Sequence, residues 1–583
     1  MTPPRPFDSL RQTLRQWLPD WLRPYPRQHL AADVVAGIIV AILVIPQSLA
    51  FALLAGLPPQ VGLYVSIVPV AVYALTGSSR VQAVGPVAIT AIMTYAVLSP
   101  MAVPGSAQYL VLAATLALLS GLLVWAFGAL RLGFLSQLLS RPVVSGFISG
   151  SAVLIIISQT KLLLGISVPS GLAWQTLAGL LTHLPSAHLP TLAVALPAVA
   201  VLLLSRFFLG SALRRWGLGP RSTDYAIRVM PLLVLGVSTL AVVVLALDER
   251  HGVAVVGAVP EGLASFEFFV PSLASVQQLA GPALMLALIG MVQNITMAQS
   301  LAQKRRERID ANRELVGLGT ANVAAAFYGG MPVGGGLSRS AINVAAGAQT
   351  PLASLAAAAA MLAVVLIDTR WVAHLPLAVL AASIVVAALG MVDLQALRQA
   401  WDYDRADAAA WLGTALGVLL LGLQWGIALG VGLSLATLLL RASTPHIAVI
   451  GRMPGTEHFR NVERHGVHTV PGALLLRIDE SLFFGNLNAV ENRLAAELTL
   501  APDTRDVVLI LSAVNRIDTT AMEALSDLQR DLADRHIRLH LAEVKGPVQD
   551  RLSRTPLWLS LQGRVHLSVN AAFESLQSGT ITD

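Results

Sequence analysis

Arg339 is the one charged side chain between Val333 and Gly347, where it follows three consecutive glycines, Gly334 to Gly336, and sits between Ser338 and Ser340. Adjacent glycines cannot continue a regular helix cheaply, whereas Ser338 is a good N-cap for a short helix beginning near Arg339. Such a helix start offers unpaired backbone N–H groups and the positive end of its dipole, to which Arg339 adds a full charge. No acidic residue lies between Glu314 and Asp368 to neutralise it. The chemistry that fits is reversible binding of an anion at a broken helix. The competing reading is an arginine that snorkels to an interface or pairs with a more distant carboxylate.

Two further stretches carry polar groups into apolar surroundings. Ile45-Pro46-Gln47-Ser48 reads as a proline-interrupted helix that frees backbone carbonyls and places the Gln47 amide and the Ser48 hydroxyl beside them. Those side chains either face a ligand or satisfy the kink itself. Val84-Gly85-Pro86-Val87 has proline where a helix begins, so Gly85-Pro86 starts a second half-helix or turns at the membrane surface. The Gln-Ser-Leu-Ala of residues 47–50 recurs at residues 299–302, and Gln47 to Pro86 spans the same 39 positions as Gln299 to Ser338. Two inverted repeats of seven spans would produce this, with two half-helices meeting N-terminus to N-terminus. Their positive ends attract an anion and repel a cation.

The elements that must position these groups are membrane spans. The 583 residues are 55% hydrophobic and 12% charged, against roughly 25% charged in soluble domains. Apolar stretches near the crossing length of about 20 residues recur from Ala31 to Leu440. We place fourteen, several short, at residues 33–51, 62–76, 87–98, 108–130, 142–164, 192–209, 229–247, 283–301, 315–327, 339–346, 352–367, 375–389, 408–421 and 424–440. With a cytoplasmic N-terminus, every loop after an even-numbered span should be basic. Arg80, Arg131 with Arg141, the runs Arg206 to Arg228 and Lys304 to Arg313, and Arg398 with Arg405 all fall in such loops. The opposite loops are neutral, as from Gly165 to Pro190, or acidic, with Asp248, Glu249, Glu261 and Glu267. Both termini are then cytoplasmic.

Residues 1–30 carry five arginines together with Trp17, Leu18, Trp21 and Leu22, and read as an amphipathic lead-in resting on the bilayer surface. Residues 31–442 form the membrane domain and 443–470 a polar, histidine-bearing linker. Residues 471–583 change period: Ala473–Ile478, Val507–Leu511 and Arg538–Val544 read as buried strands, and Asn486–Leu500 and Thr519–Asp534 as amphipathic helices. That is a small α/β domain. The absence of cysteine removes thiolate chemistry, and no histidine or carboxylate set has metal spacing. No nucleophile, base and orienter assemble from the spans, which argues against an enzyme, and no cofactor is implied. The net charge of +6 is scattered over membrane loops, so nucleic acid is not a partner. Lys161 reads as snorkelling, Asp33 as a helix-start carboxylate and His374 as structural.

The ordered set of motifs resembles the sulfate permease (SulP) family of anion transporters: Pro46 to Pro59, Gly62-Leu63-Tyr64, Gly77 to Arg80, Gly85-Pro86 and Gly335 to Ser340. Residues Leu482-Phe483-Phe484-Gly485 and Asn515 to Ala521 resemble that family's STAS domain. The resemblance implies a seven-plus-seven inverted repeat divided into core and gate, an elevator-like motion of one against the other, and a homodimer. The substrate-site residues it implies are Gln47, Phe51, Val87, Ser338 and Arg339, with half-helix starts at Gly85, Pro86 and Gly336. The substrate is then a small anion of the sulfate, bicarbonate, chloride or dicarboxylate class, moved across a bacterial inner membrane.

Gln293 departs from the family's pattern, which has an acidic residue there, associated in some bacterial members with proton or sodium coupling. Glutamine cannot titrate, so exchange or uncoupled uptake is expected over symport, although Asn294 and Thr296 offer oxygens to a sodium ion. Thr519 matches the phosphorylatable position of stand-alone STAS proteins; it is a regulatory site or simply caps its helix. A membrane-tethered signalling protein, with a cytosolic partner of the STAS domain, is the rival reading.

Overall fold

The computed structural model describes residue 21 and residues 25–137, 140–168, 171–217, 219–257, 268–367 and 370–578. Most of the lead-in expected over residues 1–30, including Trp17, Leu18 and Leu22, lies outside the described residues, as do Glu261 and Glu267. The chain divides into two compact units at Ser434/Leu435.

A helix occupies each of the fourteen stretches read from the sequence, the last of them running across that division. They are α1 (Leu30–Leu54), α2 (Pro59–Tyr64) with α3 (Val68–Thr76), α4 (Ala88–Leu98), α5 (Ala107–Ala129), α6 (Arg141–Leu164), α7 (Leu189–Leu204) and α8 (Pro220–Val244). The second half has α9 (Leu273–Arg305), α10 (Ala311–Phe327), α11 (Leu337–Ala345), α12 (Leu352–Ile367), α13 (Leu377–Leu389), α14 (Arg405–Leu421) and α15 (Leu423–Ser443). Among the described residues eight helical segments are long and apolar enough to cross a membrane alone.

Two local readings are corrected. The expected interruption at Pro46 is absent, because α1 runs unbroken through it. The second stretch instead divides in two at Val65 to Ile67, where Pro69 in the first turn of α3 has no N–H with which to continue α2.

Small residues let these helices approach closely. A Cβ on Gly319 of α10 would fall 2.5 Å from the Trp125 backbone nitrogen of α5, and one on Gly62 of α2 would collide with the Ser48 carbonyl of α1. Asp33, in the first turn of α1 as expected of a helix-start carboxylate, also accepts hydrogen bonds from the Gln349 and Thr350 backbone N–H groups, the Thr350 hydroxyl and the Tyr25 hydroxyl. It therefore ties α1 to the turn before α12. Lys161 sits 5.7 Å from the centroid of the Tyr95 ring, and His374 lies 3.5 Å from the Asp248 carboxylate.

Between α3 and α4 the chain forms a two-residue strand, β1 (Val84–Gly85), and between α10 and α11 another, β2 (Gly334–Gly335). They pair antiparallel, Val84 with Gly335 and Gly85 with Gly334. A helix starts just after each, so the two starts lie side by side and the helices leave in opposite directions.

The second unit holds a six-stranded sheet in the order β4-β3-β5-β6-β7-β8: β3 (Ile447–Arg452), β4 (Phe459–Asn461), β5 (Ala473–Ile478), β6 (Asp506–Ile510), β7 (Arg538–Ala542) and β8 (Val565–His566). Strands β5 to β8 are parallel, with α16 (Leu487–Leu500) and α17 (Thr519–Asp534) as crossovers. The stretch 443–470 is not merely a linker: β3 and β4 pair within it, and β3 adds to the sheet edge beside β5. The short run Ile447 to Ile450 is apolar enough to bury one side of a strand, with Ala448 and Ile450 inside.

A polar cluster closes the other edge of this sheet. The Asp506 carboxylate accepts from Arg538 Nε at 2.7 Å and Nη2 at 2.8 Å, and lies 2.9 Å from His540 Nε2. Burial alone would raise the Asp506 pKa, but hydrogen bonds from His540 and Arg538 outweigh it and hold the carboxyl below its ordinary value. His566, stacked on His540 with ring centroids 5.4 Å apart, is pushed down by burial and by His540. Both groups bind protons more readily in the unfolded chain, so their stabilisation is complete above about pH 6.5. It falls first as His566 would protonate and again below about pH 4, where Asp506 would. Hydrogen exchange in β6 and β7, after correction for intrinsic rates, should therefore quicken in two steps, one below about pH 6.5 and one below about pH 4, and His566→Gln should remove the first.

Candidate functional site

The paired strands place two helix starts against one arginine. Helix α4 is capped by Val87 and α11 by Gly336, both with extended backbone. A Cβ on Gly336 would lie 3.3 Å from the Val87 Cγ1 and 3.3 Å from the Arg339 Cβ, so the two caps and the arginine are immediate neighbours. The Gly336 N–H donates to the Ala83 carbonyl at 3.2 Å, and the Ala83 N–H to the Ser340 hydroxyl at 3.0 Å. Ser338 is not the cap; it is the second residue of α11, and its side chain lies outside the described residues. Gly336 takes the cap because the extended backbone of β2 runs directly into it.

Arg339 is 5% exposed. Its Nη1 donates to the Val84 carbonyl at 3.3 Å and its Nη2 to the Ser48 hydroxyl at 3.2 Å. Ser48 in turn lies 2.9 Å from Ser66, whose hydroxyl donates to the Gly62 carbonyl. Among the described residues no carboxylate lies within ion-pair distance of Arg339, so snorkelling and ion pairing, the competing readings of this residue, are not what the structure has. Gly85 makes the fit available, because a Cβ there would overlap the guanidinium. Of the residues read from the sequence, Phe51 (6% exposed), Val87 (7%) and Pro86 are buried, whereas Gln47 is only half-buried. The polar group of α1 that reaches Arg339 is Ser48.

Behind the crossing runs a second polar chain that the sequence did not disclose. Glu314 in the first turn of α10 is fully buried. Its carboxylate accepts from the Ser78 and Ser79 N–H groups at 2.8 and 2.6 Å, the Ser78 hydroxyl at 2.8 Å, the Tyr73 hydroxyl at 2.5 Å and Asn294 Nδ2 at 3.2 Å. Asn294 Oδ1 accepts from Gln82 Nε2 at 2.5 Å. The oxygen expected to be offered to a cation is thus one that already accepts a hydrogen bond from Gln82. Thr296, one turn from Gln293, is exposed and shares none of these bonds. Gln293 Nε2 donates to the Gly335 carbonyl at 3.3 Å. The only signal for Glu314 was a carboxylate at the edge of an apolar run, which a helix-start position explains equally well.

This arrangement, two opposed helix starts beside a buried arginine, is set in a chain whose residues 30–414 match the model of the sulfate permease family and whose residues 466–572 match the STAS domain. The chain belongs to the sulfate permease family. Among its relatives is a probable sulfate transporter of Mycobacterium tuberculosis, 35% identical over 88% of this chain and 89% of that one. A chloroplastic sulfate transporter of Arabidopsis thaliana is 32% identical over 93% of this chain and 80% of its own. The fold matches that of the murine Solute Carrier 26 member A9 anion transporter in its inward-facing state, at a TM-score of 0.87 and 22% identity, covering 99% of this chain and 96% of that one. As in other sulfate permeases, then, a multi-pass helical membrane domain is joined to an α/β STAS domain. Within that domain Thr519 is exposed as the first residue of α17, and the cap is Asp518, whose carboxylate accepts from the Ala521 and Phe484 N–H groups. Capping is therefore not the role of Thr519.

Proposed function

We propose that the chain is a secondary transporter moving a small anion across the bacterial inner membrane by an elevator-like displacement of core against gate. It works as a homodimer with both termini in the cytoplasm. The observation that carries this reading is Arg339. Among the described residues this buried guanidinium has one carbonyl and one hydroxyl as partners and no counter-charge, and burying a charge without one is costly. The adjoining helix starts make the same place still more positive. An anion supplies what is missing, and a cation would be repelled. The names of the relatives as sulfate transporters agree with this chemistry.

Exchange or uncoupled uptake fits better than symport. Gln293 holds the Gly335 carbonyl through its amide and has no proton to gain or lose, and the Asn294 oxygen is engaged. In proteoliposomes, saturable uptake of labelled anion should proceed without an imposed proton or sodium gradient, and Gln293→Glu should make it gradient-dependent. Gradient-dependent uptake by the native protein would refute the uncoupled mechanism, and absence of saturable flux with every anion would refute transport.

A further inference from the structure

The loop between α3 and β1 and the loop between α9 and α10 enclose a cavity of about 240 Å³. Ser78 to Val81 line it from the first loop, Glu307 to Ile309 from the second, and Ala302 from the end of α9. It is not the space beside Arg339, which other residues line, Val44, Ser66 and Met361 among them.

The polar groups around this cavity are nearly all donors. Ser79 is 7% exposed, and its hydroxyl accepts from the Gln82 N–H at 3.3 Å but gives its own proton to no partner among the described residues. The backbone N–H groups of Arg80, Val81, Arg308 and Ile309 likewise reach no acceptor among the described residues. Two guanidinium groups, Arg80 and Arg308, come to the cavity from the two loops. The carboxylate among the lining residues, Glu307, lies 3.9 Å from Arg80 but only 3.2 Å from Arg305, and Arg305 also donates to the Ala348 carbonyl and the Gln349 side-chain oxygen. Arg308 has no ion-pair partner among the described residues.

Such a surplus of donors and of positive charge fits an anion with more acceptor oxygens than a carboxylate carries. A phosphate group offers three, and the planar fork of arginine matches its edges. The donors are held in place without a ligand, which lowers the cost of binding one. The Ser78 and Ser79 N–H groups are fixed to the Glu314 carboxylate, and the Asp310 N–H donates to the Ser78 hydroxyl at 3.2 Å, so the two loops are tied to each other. The same segment also holds α11, through Asn343 Nδ2 on the Val81 carbonyl at 2.9 Å and the Ala83 N–H on Ser340.

Resting on the transport reading above, which puts these loops in the cytoplasm, we propose that the cavity binds a phosphate group, carried by a soluble phosphate ester or by an anionic lipid headgroup. It is a second anion site, separate from Arg339. Arg80 and Arg308 supply the charge, and the Ser79 hydroxyl and the unpaired N–H groups supply the remaining hydrogen bonds.

Calorimetric titration of glycerol 3-phosphate into the detergent-purified full chain tests the proposal. Arg80→Gln and Arg308→Gln should each weaken binding by about tenfold, the scale of a lost charge-assisted hydrogen bond. Both side chains lie at the surface, Arg80 being 59% exposed, so both variants should fold as the native chain does. Arg339→Ala should bind the ester as tightly as the native protein. Nanodiscs separate the two sources: loss of ester binding in phosphatidylcholine containing phosphatidic acid, with retention in phosphatidylcholine alone, assigns the site to a lipid headgroup, and equal binding in both assigns it to a soluble ester. Absence of ester binding in detergent and in phosphatidylcholine alike would overturn the proposal. So would binding that Arg80→Gln and Arg308→Gln leave unchanged, or that Arg339→Ala abolishes. Each of these failures leaves the transport reading standing, and that reading fails instead if no anion gives saturable flux.

Discussion

Gly85→Ala is expected to abolish most anion binding while leaving the membrane domain assembled. The added Cβ would occupy the space of the Arg339 guanidinium, and something must move. The arginine cannot withdraw while keeping its bond to the Val84 carbonyl, and the strand pairing that holds Gly85 opposite Gly334 is only two residues long. Overpacking of this kind costs on the order of 1–3 kcal/mol. The strain falls on the crossing, because α4 and α11 each keep their own intrahelical bonds. Thermal unfolding in detergent should show a modestly lower midpoint for Gly85→Ala and no further rise when the substrate anion is added, whereas the native protein is stabilised by its ligand. Gly236→Ala in α8 is the control: a Cβ there meets nothing within 4 Å, alanine is the better helix former, and both midpoint and ligand response should be kept.

Arg339→Ala removes the charge without adding bulk. Of its partners, the Ser48 hydroxyl keeps Ser66, and among the described residues no carboxylate is stranded by the loss. Deleting a buried cation that has no ion-pair partner among the described residues even relieves a desolvation cost, so the folded protein should be no less stable. Anion affinity should fall by about 1–3 kcal/mol, roughly 5- to 150-fold, the range for loss of a charge-assisted contact. A lysine in its place should restore only part of this, since one ammonium cannot reach both partners with the planar fork of arginine.

The helices and the crossing were legible in the sequence because they depend on short-range physics. Apolar runs of the right length, glycines and prolines at the breaks, and alternating loop charge are all local. Arg339 stood out because nothing near it in sequence could neutralise it. The misreadings have a common cause, which is that the deciding partner lies far along the chain. Pro46 looks like a break until the rest of α1 is packed around it. Ser338 looks like a cap until β2 brings extended backbone to Gly336. Ser48 and Gln47 are adjacent in sequence, and only the approach of Arg339, 291 positions on, distinguishes them. Glu314 carried no local sign of a role, since its partners at Tyr73, Ser78 and Ser79 lie more than 230 positions away. In the second unit, β3 and β4 were hidden because they lie in a polar stretch and gain their burial only from the neighbours they pair with.

The central claim is that an anion binds where the two helix starts meet Arg339. Its most direct test is the anion dissociation constant of the purified native chain beside that of Arg339→Ala, with thermal midpoints recorded for both. A roughly 5- to 150-fold weaker affinity at an unchanged midpoint is the predicted outcome. Equal affinity in the two proteins would place the anion elsewhere and contradict the account.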